Sequence, residues 1–580
     1  MTALYLTAKQ NCKTPPQTTV DFTDIMAKPQ KKQPTRPASP KVAKQLTLLE
    51  RWETKLAANQ KTALFVSLGI SLLFSVLLFD VKVSEMNDDS MYIEGGYTFS
   101  QDIHQLASAN AQLYPLFLSL PIKFFGVNLI LLKSISVLFM LFALMFVFLA
   151  FKDRAPMVVL LPVALIVAVN SYIQYYASLT FTEAMFMFLQ GIFIYYFFYV
   201  MDKTKGNNSL KSTWYYWLIL GFWVFLLTFC KNLAIASIGI IALSFLLQKR
   251  YLHALYSICG ILLIRFPTEQ LKRAVWNMDQ FNFQASVLQQ IDPYDASKGM
   301  ETTSGFVTRF FDNTGLYIAK RLYQVLGFVS SESMATPGAL IFITSLLFLL
   351  ALIFIIKNKN NYLLFSLIYT LVMLGTTFIV LQKQWDQPRY VMIFLPFILL
   401  LFFYGIYSIV IKSSSFTQLI YIIFIGIFFF SSFIASSSKV IKNFSTLKRN
   451  MQGDIYYGYT DDWANFLKMS AYVADSLPPT AFAASRKAPM SFIYGHGKKF
   501  YPIYTRFSQD ADTILTNFKE AHVTHVIMAS LRRNPKKADG QVITTMHGLL
   551  QTIVQKYPEK IVQVKQIGET EPAYLFEIKY

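Results

Sequence analysis

The chain has 580 residues, of which 54% are hydrophobic and only 15% are charged. A soluble protein of this length needs more polar surface, so many apolar residues must face lipid. The net charge of +20 does not indicate nucleic-acid binding, because the Lys and Arg residues flank apolar blocks and form no groove-sized patch. The three cysteines lie far apart, which argues against a disulfide framework and a cysteine-based zinc site.

The first 61 residues are rich in Pro, Gln, Thr and Lys and show no sustained apolar face. This composition predicts a disordered, basic cytoplasmic tail over residues 1–61. Because this polar segment precedes the first apolar block, we expect that block to act as an uncleaved membrane anchor.

Long apolar blocks then recur along the chain, each close to the roughly 20 residues that a helix needs to cross a bilayer. They predict a polytopic α-helical membrane protein with about eleven transmembrane helices and a C-terminal soluble α/β domain. The predicted spans are 62–79, 127–150, 156–171, 184–201, 214–229, 233–248, 252–266, 338–356, 362–381, 390–411 and 417–436. They define a transmembrane domain over residues 62–436.

The charges in the short loops predict the orientation. With the N-terminus inside, ten Lys or Arg residues lie in short inner loops and three in short outer loops, as the positive-inside rule requires. This orientation places residues 80–126, 267–337 and 437–580 outside the cytoplasm. The loop 267–337 contains amphipathic stretches suited to lying on the membrane and gating a site.

Residues 437–580 show the sequence pattern of a soluble domain. Helix-like stretches at 463–477 and 509–521 alternate with short apolar runs at 480–484, 525–529 and 561–567. The alternation predicts a small extracytoplasmic α/β unit.

Two adjacent acids, Asp88 and Asp89, open the first outer loop. An acid at this level can meet both a lipid head group and the hydroxyl of a water-borne acceptor, as a general base must. Adjacent acids can also help to hold a divalent cation. The plain alternative is a solvated pair at a helix end.

Three further charges lie at the outer ends of predicted spans. Glu183 is the only charge of its loop, and an acid at the mouth of an apolar helix needs solvent or a partner. Lys231 and Arg389 lie in loops predicted to be outside, where the positive-inside rule makes cations uncommon, and they can stabilise a lipid phosphate. The alternatives are a helix-terminal acid for Glu183 and snorkelling head-group anchors for the two cations.

These segments together resemble the membrane glycosyltransferases of the protein O-mannosyltransferase and lipid A aminoarabinose transferase superfamily. The resemblance covers most of the chain after residue 60, and residues 484–489, 494–499 and 524–527 resemble the exported tail domain of bacterial members. In the family pattern the lysine follows Leu-Leu-Thr directly, whereas here two residues intervene. The resemblance rests on Asp88-Asp89 with Tyr92, Tyr114-Pro115, Phe124-Phe125-Gly126, Glu183, Leu227-Thr228 with Lys231, and Pro388-Arg389-Tyr390 with Pro396.

The resemblance implies a glycosyltransferase that moves a monosaccharide from a polyprenyl-phosphate carrier to lipid A, a protein or another glycan. Asp88 is expected to be the general base, while Asp89 and Glu183 orient Asp88 or the acceptor, or share a Mg²⁺ or Mn²⁺ ion with it. The residues expected at the lipid-phosphate donor are Lys231, Arg389, Tyr390, Tyr92 and Tyr114. The implied location is a bacterial inner membrane, with the C-terminal domain in the periplasm and no nucleic-acid partner.

Other functions stay open at this level. A ligase or polymerase that uses diphosphate-linked lipid oligosaccharides would need similar charges. A transporter or flippase is compatible with many spans, although the sequence shows neither paired halves nor charged mid-membrane helices. A non-catalytic membrane scaffold would leave the outer acids and cations without a role.

Overall fold

The computed structural model describes residues 46–106, 111–276, 286–292, 298–330, 338–382, 385–534 and 540–580. Residues 47–580 form one compact unit. Its helices, in chain order, are α1 Leu48–Ala58, α2 Gln60–Leu77, α3 Asp88–Gln101, α4 Leu113–Phe125, α5 Leu129–Phe151, α6 Met157–Val169, α7 Ser171–Ala177, α8 Thr182–Lys203, α9 Leu210–Cys230, α10 Ala236–Leu247, α11 Tyr251–Trp276, α12 Thr303–Gly315, α13 Leu322–Val325, α14 Gly338–Lys357, α15 Asn361–Val380, α16 Arg389–Met392, α17 Leu395–Val410, α18 Ser415–Met451, α19 Asp461–Ser476, α20 Ala488–Tyr494, α21 Ala511–Glu520 and α22 Thr545–Lys556.

The helices confirm a multi-pass membrane protein. Among the described residues, eight helices are long and apolar enough to cross a bilayer, and the bent pair α6–α7 makes a ninth. Two shorter apolar helices, Asn232–Leu247 and Leu395–Val410, occupy the remaining two predicted spans. All eleven predicted apolar segments therefore form helices, although two of them are shorter than a full crossing requires.

Close helix packing is made possible by small residues at two crossings. A Cβ atom on Gly221 of α9 would lie 2.5 Å from the carbonyl oxygen of Gly260 on α11. A Cβ on Gly96 of α3 would lie 2.9 Å from Ile122 of α4. These glycines let helix backbones approach closely, as is common in membrane bundles.

The pair α6–α7 is bent by 58°, and one buried side chain organises the bend. Asn170 accepts hydrogen bonds from the backbone amides of Tyr172 and Ile173, which begin α7. Its amide group donates to the carbonyl of Val325 at 2.7 Å. The backbone groups freed by the bend are thus satisfied inside the protein, as a broken helix in a membrane requires.

The prediction of a disordered tail over residues 1–61 is wrong for its last part, which is helical. Residues 1–45 lie outside the described residues, but helix α1 lies within the predicted tail and α2 already begins at Gln60. A capping box starts α1: the Thr47 side chain accepts from the Glu50 amide, and the Glu50 carboxylate accepts from the Thr47 amide at 2.8 Å. This reciprocal cap stabilises a short amphipathic helix that composition alone does not reveal.

The C-terminal part carries a five-stranded sheet. Its strands are β1 Ala483–Ser485, β2 Tyr501–Pro502, β3 His525–Ala529, β4 Ile561–Ile567 and β5 Ala573–Ile578. Their order is β2-β1-β3-β5-β4, with β1 parallel to β2 and β3, and β5 antiparallel to β3 and β4. An α/β unit is therefore present, as predicted.

Two predicted boundaries differ from the helices observed. The last membrane helix, α18, continues to Met451, past the predicted start of the soluble domain at residue 437. Helix α11 likewise continues to Trp276, so the described part of the loop predicted over 267–337 begins with helix. In both cases the polar continuation of an apolar helix reads as a loop in the sequence, whereas helical hydrogen bonding continues beyond the apolar stretch.

Candidate active site

Asp88 and Arg389 meet at one end of the helix bundle, which we call the Asp88 end. Helix α3 begins at Asp88, directly after Asn87 in the left-handed conformation with φ 77°. Arg389 begins the short helix α16 after Pro388. A nitrogen of its guanidinium, Nη1, lies 2.8 Å from Oδ2 of Asp88. The Asp88 side chain is 36% exposed and that of Arg389 is 13% exposed, so the acid is the more accessible partner.

Glu183 and Lys231 extend this pair into a cluster. Glu183 lies in the first turn of α8 and its side chain is 1% exposed. Lys231 follows the last residue of α9 and places Nζ 2.9 Å from Oε1 of Glu183. Nη1 of Arg389 lies 3.9 Å from the same oxygen. Each of the two carboxylates thus contacts a cation, and for the buried Glu183 this offsets the large cost of removing its charge from water.

A groove of about 560 Å³ runs beside this cluster. It contains a polar end formed by Lys231, Arg389 and Thr182, and its remaining walls are largely apolar or aromatic. Such a shape suits a ligand with a long hydrocarbon chain and an anionic head. The lining residues also include Tyr92, Tyr390, Leu233, Ile235, Val287, Leu288, Phe306, Val380, Leu381, Trp385 and Ile393.

One wall of the groove comes from the segment that the sequence predicts to gate the site. Its residues Val287 and Phe306 line the groove, while 277–285, 293–297 and 331–337 lie outside the described residues. Gln382, just beyond α15, donates to the carbonyls of Val287 and Gln290. Asn313 of α12 donates to the carbonyls of Phe378 and Leu381 at 2.9 and 2.8 Å. These bonds fasten the segment to the end of α15.

Asp89 does not face the cluster. It is 1% exposed, and its two carboxylate oxygens accept from the backbone amides of Ser84 at 2.7 Å and Ser90 at 2.9 Å. Burial raises its pKa to about 7, although the Ser84 amide and Lys133 act in the opposite direction. The contacts of Asp89 therefore hold the turn before α3, and its expected part in orienting the acceptor is not supported by its position.

The three predicted tyrosines have different positions. Tyr92 and Tyr390 line the groove. Tyr114 is fully buried behind Tyr92, with ring centroids 5.7 Å apart, and its hydroxyl lies 2.8 Å from that of Ser136. Tyr114 thus supports Tyr92 from behind and is not among the residues that line the groove.

The predicted metal site does not form as expected. The described residues contain no group of three His, Cys, Asp or Glu side chains placed to hold a metal ion. Asp89 faces backbone amides, and Arg389 contacts both Asp88 and Glu183. These three acids are therefore not a convergent ligand set for Mg²⁺ or Mn²⁺.

One important pair was missed in the sequence. Lys133 lies within the apolar helix α5, is 1% exposed, and places Nζ 2.6 Å from both Oδ1 of Asp80 and the carbonyl of Lys82. It anchors the start of the loop that leads to Asp88. The signal was present, because a lysine inside a predicted span must find a partner.

Comparisons with known proteins bear on the fold. No protein-family model and no curated protein sequence matches this chain. Among solved structures, ArnT from Cupriavidus metallidurans bound to undecaprenyl phosphate has a TM-score of 0.51 at 10% identity, over 88% of this chain and 97% of that one. The chain shares its fold.

Two structures of the Archaeoglobus fulgidus oligosaccharyltransferase also match. AglB in complex with an inhibitory peptide and a dolichol-phosphate has a TM-score of 0.52 at 10% identity, over 89% of this chain and 74% of that one. The complex of the enzyme with Zn and sulfate has a TM-score of 0.53 at 12% identity, over 80% and 68% of the two chains. The chain thus shares the fold of these structures, which bears out the fold that the resemblance implied.

Proposed function

We propose that this chain is a glycosyltransferase that moves a monosaccharide from a polyprenyl-phosphate carrier to an acceptor hydroxyl or amine. The observation that carries the proposal is the cluster of Asp88, Arg389, Glu183 and Lys231 beside an apolar groove. This arrangement offers a base, cations for a phosphate, and a surface for a lipid chain within one site.

The donor fits the groove in one orientation. Its isoprenoid chain lies against apolar residues such as Leu233, Val380 and Phe306, and its phosphate lies at Arg389 and Lys231. The guanidinium of Arg389 lies 5.5 and 5.3 Å from the ring centroids of Phe181 and Tyr390. A fixed guanidinium can bind phosphate oxygens with its paired N–H donors.

The reaction is a single displacement. The acceptor O–H or N–H gives its proton to the Asp88 carboxylate, and the freed electron pair attacks the anomeric carbon. The bond from that carbon to the phosphate oxygen breaks, and the phosphate leaves with the bonding electrons under stabilisation by Arg389 and Lys231. Attack opposite the leaving group inverts the anomeric configuration.

Arg389 connects the two halves of this mechanism. Its Nη1 lies 2.8 Å from Asp88, and its side chain also lines the groove proposed for the donor. A lipid phosphate competes for the same guanidinium and so weakens the hold on Asp88. Donor binding therefore leaves the Asp88 carboxylate free to contact the acceptor, while Glu183 keeps Arg389 and Lys231 at the site.

The solved structures with the same fold support a lipid-phosphate donor. The ArnT crystal structure contains bound undecaprenyl phosphate, and the AglB structure is a complex with an inhibitory peptide and a dolichol-phosphate. The likeness to an oligosaccharyltransferase also favours a second candidate, transfer of an oligosaccharide from a lipid-linked donor. A transporter has only the number of spans in its favour. The proposed displacement uses no metal ion held by Asp88, Asp89 and Glu183, because these three acids do not form a ligand group among the described residues.

The orientation follows from the loop charges. The transmembrane domain over residues 62–436 lies in a bacterial inner membrane, the N-terminus is cytoplasmic, and residues 437–580 lie in the periplasm with the Asp88 end. The acceptor, whether lipid A, a protein or a glycan, then approaches from the periplasm. Protease treatment of intact spheroplasts tests this orientation, and we expect it to cleave the C-terminal domain. Cleavage only after lysis would indicate the opposite orientation.

The donor class is tested with purified protein in liposomes. We would supply radiolabelled polyprenyl monophosphate sugars and polyprenyl diphosphate oligosaccharides in parallel, with a membrane extract as the acceptor source. Transfer from a monophosphate sugar is the expected result. Transfer only from a diphosphate donor would establish the second candidate, and movement of intact lipid across the bilayer without sugar transfer would establish a flippase.

A further inference from the structure

The loop before Asp88 is held from outside the membrane domain. Between α2 and α3 the backbone passes through Val81, Val83 and Glu85. The amide of Val81 donates to Oδ1 of Asn450 at 3.0 Å. The amide of Val83 donates to the hydroxyl of Tyr459 at 2.9 Å. These partners lie at the end of α18 and just before α19, so the start of the C-terminal part contacts the loop.

A lysine makes the contact nearest to the base. Nζ of Lys487 donates to the carbonyl of Glu85 at 2.9 Å, and Asp88 follows three residues later. Lys487 lies between β1 and α20 and is thus part of the α/β domain. Alternate backbone positions 81, 83 and 85 are therefore each bound by a side chain from beyond residue 437.

The surroundings of Lys487 keep its side chain in place. Its ammonium lies 5.7 Å from the ring centroid of Trp463. Burial lowers its pKa to about 8, and Arg486 lowers it further, while Asp88, Glu85 and Asp89 act in the opposite direction. A half-buried ammonium next to these acids has little freedom to take another position.

Helix packing reinforces the same junction. Helix α20, which starts directly after Lys487, packs on α3, where Phe492 and Tyr97 bring their ring centroids to 5.0 Å. Helix α3 carries Asp88 at its first position. Both the loop and the helix that present the base are therefore in contact with the C-terminal domain.

We propose that the C-terminal α/β domain positions the catalytic loop and that Lys487 is the positioning residue that fixes Asp88. This role rests on the proposed function, since it assumes that Asp88 is the base. A displacement of a reacting group by about 1 Å is enough to lower a rate about 100-fold. Loss of the Lys487 contact should therefore lower kcat and leave the KM for the lipid donor nearly unchanged, because Lys487 does not line the groove.

The chain offers a matched control. Nζ of Lys498 also donates to backbone carbonyls, those of Val473 and Pro478 at 3.1 and 3.4 Å, but both lie within the C-terminal domain. Lys487→Met and Lys498→Met thus remove the same kind of bond, and only the first variant releases the loop. Lys487→Arg keeps a charged donor and should recover part of the lost rate.

The experiment measures hydrogen exchange over residues 80–90 together with sugar transfer. We expect Lys487→Met to speed exchange in this loop and to lower kcat about 10- to 100-fold, while Lys498→Met does neither. Unchanged loop exchange and unchanged kcat in Lys487→Met would overturn the proposal. Tyr459→Phe, which removes the hydroxyl that bonds Val83, provides the same comparison if Lys487→Met does not fold.

The two readouts separate the two proposals. Faster loop exchange in Lys487→Met, with no transfer by the wild-type protein from any lipid-linked donor, would refute the proposed function and leave Lys487 with a structural role only. Active wild-type protein with equal kcat in all variants would refute the positioning role alone.

Discussion

The two ends of the helix bundle both carry arginines, acids and a cleft, yet they differ in what the charges contact. At the Asp88 end the groove of about 560 Å³ is lined mainly by apolar and aromatic side chains. At the opposite end, which we call the Arg154 end, a cleft of about 540 Å³ is lined by polar and charged loop residues. Similar volumes therefore belong to surfaces of different chemistry.

The cations at the Arg154 end hold loops and helix ends together. Arg154 binds Asp202 at 2.5 Å, and the hydroxyl of Tyr362 binds the same carboxylate. Nη1 of Arg250 donates to the carbonyl of Met201 near the end of α8. These contacts satisfy helix ends and are compatible with the excess of cations in the short loops predicted to be cytoplasmic.

Because both ends carry paired charges beside a cleft, charge alone does not identify a site in this membrane protein. What distinguishes the Asp88 end is a charge cluster beside an apolar groove, in which Asp88 remains partly exposed. A lipid phosphate needs this combination, because its chain and its head must be bound together. The following predictions test whether the difference between the two ends is functional.

The largest effect is expected from Asp88→Asn. Loss of the general base should lower the rate of sugar transfer by about two to four orders of magnitude, with little change in donor binding. The matched control is Asp102→Asn at the other end of α3, which should transfer normally. Normal turnover by Asp88→Asn in the radiolabel assay would remove Asp88 from the mechanism.

The second effect concerns the leaving group. Arg389→Met should lower kcat about 100- to 1,000-fold, the usual consequence of losing a donor that stabilises developing negative charge. Arg389→Lys should recover only part of this loss, because an ammonium lacks the paired donors of a guanidinium. Arg154→Met removes an arginine at the other end and should keep kcat within about twofold. Equal losses in Arg389→Met and Arg154→Met would erase the distinction between the two ends.

A third prediction concerns the pair of Lys231 and Glu183. Lys231→Met leaves the buried Glu183 carboxylate with Arg389, 3.9 Å away, as the cation near it, so we expect a loss of stability of about 3 kcal/mol. Glu183→Gln in the same chain should restore most of the stability but not the transfer rate. Thermal unfolding of the single and double variants measures this, and a double variant as unstable as Lys231→Met would contradict it.

The smallest effect is a pH dependence at Asp89. Its pKa rises from 3.8 to about 7 on folding, so the folded state holds this proton more tightly than the unfolded state. The resulting stabilisation is complete below the unfolded pKa and is lost as pH rises through about 7. The Tm of the wild type relative to Asp89→Asn should therefore fall between about pH 5 and about pH 8. A constant difference between the two proteins would show that Asp89 does not titrate in this range.

The sequence predicted the spans and the members of the charge cluster for a local reason. A charge at the end of an apolar helix stands out because its neighbours are apolar, and this holds for Asp88, Glu183, Lys231 and Arg389. The bilayer places helix ends at one of two levels, so charged residues at the same level share a thin layer in which they can contact each other. That constraint made their meeting predictable across hundreds of residues.

The direction of each side chain was not predictable in the same way. Consecutive helical residues point about 100° apart, so Asp89 turns to the loop amides while Asp88 meets Arg389. Tyr114 and Tyr92 both belong to the family pattern, but only packing decides which of them reaches the groove. The contact of Lys487 with Glu85 joins residues that are 402 positions apart, so no local sequence pattern predicts it.

The most direct test of the central claim is to locate the bound lipid phosphate. We would irradiate the protein in liposomes with a polyprenyl phosphate that carries a photoreactive group next to the phosphate, and map the modified peptides. We expect labelling near Lys231, Leu233 and Val380, and we expect excess unlabelled polyprenyl phosphate to reduce it. Labelling at the Arg154 end, or labelling that excess lipid phosphate does not reduce, would contradict it.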